Sequence, residues 1–341
     1  MSNKQRGFFD EQFRLDKLSK QSDPLVKLQQ HVDFELFRKP LEAHFDTGRD
    51  KSLGGRPSFD SLLMFKILIL QRYYNLSDDN TEYAILDRLS FMRFLGLTIS
   101  DTVPDAKTIW NFKNELSKSQ LVEKLFSILD KALTQRGIIL NKGKMIDASI
   151  VEVPIQRNSE EENDQIKGGE TPQGWSENKR RQKDTDAQWV RKNGKNYYGY
   201  KDHIKADIKT KLITGYSVTP ANVPDNAVID QLIDKKDRGQ KLYADSAYRS
   251  KEIEANLKRK KVISMIHEKG YRYKKLTEAA EKRNKRKSKI RARVEHIFGF
   301  MTNSMSGKFI RCRNQIRAQA TIGLMNITYN LFRVVQLKVT I

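Results

Sequence analysis

Near residue 140 the apolar residues change their spacing, and this switch constrains the fold more than any other feature of the 341-residue chain. Between 59 and 136 they recur every three or four positions, the period of a helix with one buried face. Phe59 to Tyr74 is strongly apolar and reads as a buried helix. Asn80 to Leu95 sets Tyr83, Leu86, Leu89, Met92 and Leu95 three apart, with Gly96 as C-cap. Pro104 and Asp105 open a helix with Ile109, Phe112 and Leu116 on one face; Leu121 to Leu133 follows, ended by Gly137. After that the pattern becomes short and β-branched. Met145 to Val153 reads as a strand. Tyr198 to Ile208 alternates, with Tyr198, Tyr200, Ile204, Ala206 and Ile208 on one face and Lys201, His203 and Lys205 on the other. That predicts a half-solvated antiparallel strand, and Leu212 to Thr219 predicts another. A helix from Pro224 to Ile233, a strand at Lys241–Ala244, a helix at Ser250–Lys258 and a strand at Val262–Ile266 follow. Helices at Lys289–Met301 and about Ile316–Val335 close the chain. The expected fold is α/β: a mixed sheet flanked by helices, preceded by an all-helical domain.

The remaining segments divide the chain. Residues 1–50 form an N-terminal arm, with a short helix around Val32, Leu36 and Phe37 stopped near Pro40. Asp46 to Ser58 contains Gly54, Gly55 and Pro57 and reads as a loop. Residues 51–140 form a helical domain and 141–341 an α/β domain, with a polar insertion at 156–196. That insertion holds nine basic and eight acidic residues in 41, so it is expected to be partly mobile. Its Trp175 and Trp189 either stack on an unpaired base or dock onto the catalytic domain. Trp110 reads as core.

Composition narrows the function. A net charge of +22 and a pI near 9.8 point to a polyanionic partner, most simply nucleic acid. The densest apolar run, Leu62 to Leu70, is broken by Lys66 and is too short for a membrane span. The N-terminus lacks a secretory apolar stretch, so a cytoplasmic protein is expected. A single cysteine, Cys312, and five scattered histidines exclude a disulfide framework and a Cys/His zinc site.

Three carboxylates occupy unusual positions. Asp147 lies inside a strand, between Ile146 and Ala148; Asp245 ends another; Glu295 lies on a helix with mostly basic neighbours. Each has an ordinary reading: a buried Asp bonded to backbone, a turn residue, and a partner for Arg291 one turn away. In a mixed sheet, however, the strands of Asp147 and Asp245 can be central neighbours. Two carboxylates held together repel unless a cation neutralises them, and oxygen-only ligands suit Mg²⁺ or Mn²⁺. A pair of such ions serves in-line phosphoryl transfer.

Five stretches in order carry a family resemblance: Gly54-Gly55-Arg56-Pro57, Met145-Ile146-Asp147-Ala148, Tyr198-Gly199-Tyr200-Lys201-Asp202-His203, Tyr243-Ala244-Asp245-Ser246-Ala247-Tyr248-Arg249-Ser250 and Arg291-Ala292-Arg293-Val294-Glu295-His296-Ile297-Phe298-Gly299. The chain resembles the DDE transposases of bacterial insertion sequences, in the group typified by insertion sequence five. The resemblance implies an RNase H-like catalytic domain with Asp147, Asp245 and Glu295 as catalytic, metal-binding triad and two Mg²⁺ or Mn²⁺ ions as cofactors. It also implies an N-terminal DNA-binding region, transposon terminal inverted repeats and target DNA as partners, and a homodimer in the synaptic complex. The expected reaction is cleavage at the transposon end and transfer of the 3′-hydroxyl into target DNA. The alternatives are a transposase-derived protein that only binds DNA and a metal-dependent nuclease that cuts without joining. Some relatives carry Tyr-x2-Arg-x3-Glu-x6-Lys around the Glu; here Ser288 and Thr302 occupy the Tyr and Lys positions, and Lys308 is the candidate substitute.

Candidate DNA contacts complete the reading. Lys269 to Arg293 holds twelve basic and two acidic residues in 25, and each cation can neutralise a phosphate. Arg283, Lys285, Arg286, Lys287 and Arg291 are drawn from this run; His203, Tyr248, Arg249 and Lys308 are added from the motifs. His203 also has a surface reading, and Tyr248 a core one.

Overall fold

The computed structural model describes residues 9–46, 58–271, 273 and 275–341. The Gly54–Pro57 motif lies outside the described residues. Eight helices come first: α1 (Asp10–Lys20), α2 (Pro24–His31), α3 (Arg38–Phe45), α4 (Ser61–Tyr73), α5 (Asp78–Asp87), α6 (Leu89–Leu95), α7 (Ala106–Lys118) and α8 (Leu121–Gln135). Local chemistry sets their ends. The Asp60 carboxylate accepts from Leu62 N–H to start α4, and Asp105 does the same for α7 through Thr108. Gly96 takes φ +77° to end α6, the left-handed conformation that costs a glycine nothing.

Two expectations fail here for identifiable reasons. Pro40 does not stop a helix. It sits in the first turn of α3, where its missing N–H would have had no partner. The pattern from Asn80 to Leu95 is not one helix: Arg88 is extended and separates α5 from α6. The break leaves Tyr83 and Leu86 exposed rather than in the core.

The rest of the chain runs β1 (Lys144–Glu152), α9 (Glu160–Lys167), α10 (Glu177–Gln182), β2 (Gln188–Lys192), β3 (Lys195–Asp207), β4 (Ile213–Pro220), α11 (Ile229–Leu232), β5 (Lys241–Tyr243), α12 (Lys251–Arg259), β6 (Ile263–Ser264), α13 (Glu278–Arg291), α14 (Arg293–Met305) and α15 (Gln315–Leu337). The six strands form one mixed sheet in the order β2-β3-β1-β5-β6, with β4 also on β3. β1, β2 and β4 pair antiparallel with β3, whereas β1–β5 and β5–β6 are parallel. Gly199, at φ +153°, lies opposite Glu152; a Cβ there would strike the Val151 carbonyl, so this motif glycine is needed for β1 and β3 to close.

The expectation of a half-solvated β3 is overturned. Lys201, His203 and Lys205 are all buried, the last two at 0% and 1% exposure. The turn at 225–228 and the segment around α11 cover that face and supply partners. Lys201 pairs with Asp225 at 2.7 Å, Lys205 pairs with Asp237 at 2.7 Å, and His203 Nε2 lies 2.9 Å from Thr219 Oγ1. Such pairs satisfy the polar face without solvent, a pattern that alternation alone cannot distinguish from exposure.

The polar insertion is also more structured than its composition suggests. It contains α9, α10 and β2, and Trp175 is buried, its Nε1–H donating to Glu162 Oε1 at 2.6 Å. Tyr200 donates its hydroxyl to the buried Asp184 carboxylate at 2.9 Å, tying the insertion to β3. Trp189 is exposed and leans on Tyr198, with ring centroids 5.1 Å apart. Trp110, expected in the core, is 37% exposed.

Helix α15 covers one face of the sheet at β4 and packs also on α2, α4, α7 and α8. One apolar core therefore runs from Leu25 through the helical block and the sheet to Ile341. Among the described residues no helix is long and apolar enough to cross a membrane.

Under α15, Asp202 is fully buried on the apolar side of β3 with one hydrogen bond, from Asn326 Nδ2 at 3.1 Å. Burial pushes its pKa up to about 7, against the weaker pull of Asn326. The folded chain thus holds this proton more tightly than the unfolded one. Its stabilising contribution is full below the unfolded carboxylate value near 3.8 and is lost as pH rises through about 7. Asp202→Asn, which keeps the acceptor and removes the charge, should stabilise the protein at pH 8 by ~2–4 kcal/mol and have little effect near pH 4. Thermal melts of both proteins across this range measure the difference; equal shifts at both ends would show that Asp202 does not carry it.

Candidate active site

The pairing of β1 with β5 brings two carboxylates together. Lys144 and Met145 lie beside Leu242 and Tyr243, so Asp147 and Asp245 each follow two residues after the last pair. Both sit just past the end of the parallel pairing, Asp245 beyond the carboxyl end of β5, where open α/β sheets place their chemistry, and Asp147 within β1, which continues along β3. The sequence expectation that these strands are neighbours holds. Asp147 Oδ1 accepts from Ala148 N–H at 2.9 Å. Asp245 Oδ1 accepts from Ala247 N–H at 2.7 Å and caps a single 3₁₀ turn over Ser246–Tyr248.

Glu295 arrives from a different direction. The expected helix from Lys289 is two helices, α13 and α14, meeting at Ala292, and Glu295 lies in the first turn of α14. Arg291 at the end of α13 reaches both sides. It donates to Asp147 Oδ2 at 2.9 Å and stands 3.9 Å from Glu295 Oε1. The ordinary i,i+4 pairing is therefore present, and the same guanidinium ties Glu295 to the strand carboxylate. Burial raises the Asp147 pKa, and nearby Asp245 adds to the rise; the Ala148 N–H and Arg291 oppose it.

A Transposase DDE domain family matches residues 143–331, and a Transposase domain family (DUF772) matches residues 13–115. The chain belongs to the DDE transposase family. Its mixed sheet flanked by helices is of the RNase H-like type; α2 to α6 fall within the second matched domain, α1 and α7 cross its ends, and α8 lies beyond it. A cryo-EM structure of the piggyBac transposase synaptic complex with hairpin DNA is similar over 92% of this chain and 75% of that chain, with 14% identity and a TM-score of 0.46.

In this DDE transposase family member, the three carboxylates offer only oxygen donors, a chemistry that fits Mg²⁺ or Mn²⁺. Their arrangement is open. Among the described residues no three acidic, His or Cys side chains form a cluster that could hold a metal. One Asp147 oxygen already meets Arg291, the other Ala148 N–H, and the Glu295 side chain is 69% exposed. Closing a metal site requires Glu295 to turn inward and Asp147 to share its oxygens.

The predicted DNA contacts divide into free and engaged groups. Lys285, Arg286 and Lys308 are exposed. Arg283 is held by Glu268 at 2.7 and 2.8 Å, Arg249 lies 3.4 Å from Glu254, and Lys287 donates to the Ile266 carbonyl at 2.9 Å. His203 and Tyr248 are fully buried and present no surface to DNA. Tyr248 belongs instead to an apolar cluster with Ile146, Leu242, Ala244 and Leu257, and its hydroxyl has no hydrogen-bond partner.

His267 escaped the sequence reading. Its N–H donates to the Ala244 carbonyl at 3.1 Å, and its Nε2 lies 3.3 Å from Ser288 Oγ. Burial lowers its pKa; Arg291 and Lys287 lower it further, and Asp245 acts the other way. The available signal was position: His267 lies three residues after β6, which runs parallel to β5, and its backbone bond to Ala244 places it at the same sheet end as Asp245.

The Asp147 carboxyl provides a check with two opposite signs. Removing the cation in Arg291→Gln should raise its pKa further, whereas removing the neighbouring charge in Asp245→Asn should lower it. Carboxyl ¹³C titrations of the metal-free protein read both. Shifts of the same sign in the two variants would contradict the network.

Proposed function

We propose that the chain is the DNA transposase of a bacterial insertion sequence, in the group typified by insertion sequence five. Asp147, Asp245 and Glu295 are its catalytic triad and would hold two Mg²⁺ or Mn²⁺ ions. The observation that carries this reading is the juxtaposition of Asp147 and Asp245 two residues past the parallel pairing of β1 with β5, tied to Glu295 through Arg291, inside the matched DDE domain. The reaction proposed is hydrolysis of a phosphodiester at the element's end, releasing a 3′-hydroxyl, then in-line attack of that hydroxyl on target DNA. When bound, the ions would supply the charge that activates the attacking and leaving oxygens.

The protein's own residues have distinct parts in this. The strand ends fix Asp147 and Asp245, and the helix junction at Ala292 lets Glu295 approach from the solvent side. Arg291 favours the ionised form of Asp147 despite burial. Residues 51–140 act as the helical DNA-binding domain, with 1–50 as an arm against it, and 141–341 carry catalysis. Lys285, Arg286 and Lys308 are exposed cations available to DNA phosphates near α13 and the segment after α14. Two element ends brought together require a homodimer, and the protein works in the cytoplasm.

The test is incubation of the full chain with end-bearing DNA and a target plasmid. Wild type should cut and join in Mg²⁺ or Mn²⁺ and be inactive in EDTA. Asp147→Asn, Asp245→Asn and Glu295→Gln should each lower cleavage by about 10²-fold or more while leaving DNA binding near wild type. Near-normal cutting by any one variant removes that residue from the triad. Cutting without joining identifies a nuclease, and binding without cutting identifies a DNA-binding descendant.

A further inference from the structure

We propose that the cleft between α7 and the start of α15 is a second DNA-binding surface, which takes the phosphate backbone of duplex DNA away from the catalytic carboxylates. The proposal rests on the transposase reading and extends it to a face that the charge run at 269–293 does not include. The cleft has a volume of about 460 Å³, and Trp110, Lys113, Arg311, Arg313 and Arg317 are among its lining residues. Lys107 adds a further cation, its Nζ 4.6 Å from the centre of the Trp110 ring.

The charge balance carries the argument. Asp78 is the one carboxylate lining the cleft, and Lys113 already pairs with it at 2.5 Å. Lys107, Arg311, Arg313 and Arg317 have no carboxylate partner among the described residues. Arg317 is steered by a neutral group, donating to Asn114 Oδ1 from Nε at 3.1 Å and Nη2 at 2.8 Å. Arg313 donates to the Arg181 carbonyl at 3.2 Å. These bonds fix direction without cancelling charge. Three such cations lining the cleft, with Lys107 beside its Trp110 wall, repel one another, a cost that a polyanion removes.

The walls are built to hold that arrangement. The chain preceding Arg311 is laced to the end of β1, with Ile310 N–H donating to the Glu152 carbonyl at 2.9 Å and Glu152 N–H to the Lys308 carbonyl at 2.7 Å. Trp110 lies partly exposed because its ring supports cations, with Arg317 5.8 Å from its centre as well as Lys107. The cleft leads on to a second cavity of about 280 Å³ that shares Asp78, Lys113 and Arg311 and adds Arg72 and one further carboxylate, Asp79. A row of cations along an extended groove suits a repeating backbone better than a compact anion.

The experiment measures the salt dependence of binding by the full chain, metal-free, to a fluorescent duplex. It compares wild type with the triple variant Lys107→Ala/Arg311→Ala/Arg313→Ala. All three side chains are exposed, and a thermal melt confirms that the variant folds. The slope of log K against log salt should fall by about 2–3, since each neutralised phosphate contributes ~0.9. The wild-type advantage should then shrink by roughly 40-fold between about 50 and 200 mM salt. A steep wild-type slope left unchanged in the variant would overturn the cleft, as would a loss seen only with single-stranded oligonucleotides. Wild type that does not bind DNA would end the transposase reading as well. Wild type that binds but never cuts would end only the catalytic reading and leaves this measurement intact.

Discussion

The parallel contact of β1 with β5 is two residue pairs long, yet the candidate site depends on it. β1 is secured elsewhere by nine antiparallel pairs with β3, so it is the rigid member. β5 stops at Tyr243, and the chain turns off the sheet at the Asp245 cap. A one-residue slip between these strands would move Asp147 and Asp245 out of step and turn one of them to the opposite face. The register therefore fixes the distance at which the two carboxylates repel. Arg291 offsets that repulsion in the metal-free chain and simultaneously reaches Glu295. The same cation marks where positive charge is needed.

A second dependence links the site to the helical block. Asn330 on α15 binds both backbone groups of Ile213, accepting at 2.9 Å and donating at 2.8 Å, and so locks the helix to β4. On its other side Phe332 stacks on Tyr73 of α4, with centroids 3.7 Å apart. α15 thus fills the interior between sheet and helices rather than closing one domain. DNA held by the helical block would have its position relative to Asp147 set by this packing, not by a hinge at residue 140. This arrangement also accounts for buried Asp202 and Asn326, which lie where two apolar surfaces meet with little room for water.

Local rules made much of this legible. The helix starts at Asp105, the Gly96 cap, the three main strands, the adjacency of the two Asp strands and the final helix all follow from period and capping. What escaped was decided by distant partners. β3 alternates as a half-exposed strand does, but Asp225 and Asp237 lie 20 or more residues downstream and cover its cationic side. Trp175 is masked by a polar neighbourhood whose Glu162 is its hydrogen-bond partner. His203 and Tyr248 carry residue types common at reactive surfaces, and burial under non-local elements removes them from it. The three carboxylates stood out as motifs, but the bridging of Asp147 to Glu295 by Arg291 required the break at Ala292, which no local breaker announces.

Net charge alone also misplaces the cationic surface. Of the 64 basic residues, several serve the interior: Lys201 and Lys205 neutralise buried aspartates under the sheet. Within the basic run, Arg283 is spent on Glu268 and Lys287 on a backbone carbonyl, while Lys282, Lys285, Arg286 and Lys289 are exposed on α13. The shorter stretch from Arg311 to Arg317 has fewer cations but no acidic residue between them; the Arg313 and Arg317 side chains bond to a carbonyl and to Asn114, and the backbone of Gln315 reaches a carboxylate side chain of the insertion, that of Asp186. The field at a surface follows the charges left uncompensated there rather than the local count of Lys and Arg. On that basis the start of α15 keeps a positive field that a count of basic residues along the sequence does not single out, as does the exposed part of the longer run before α14.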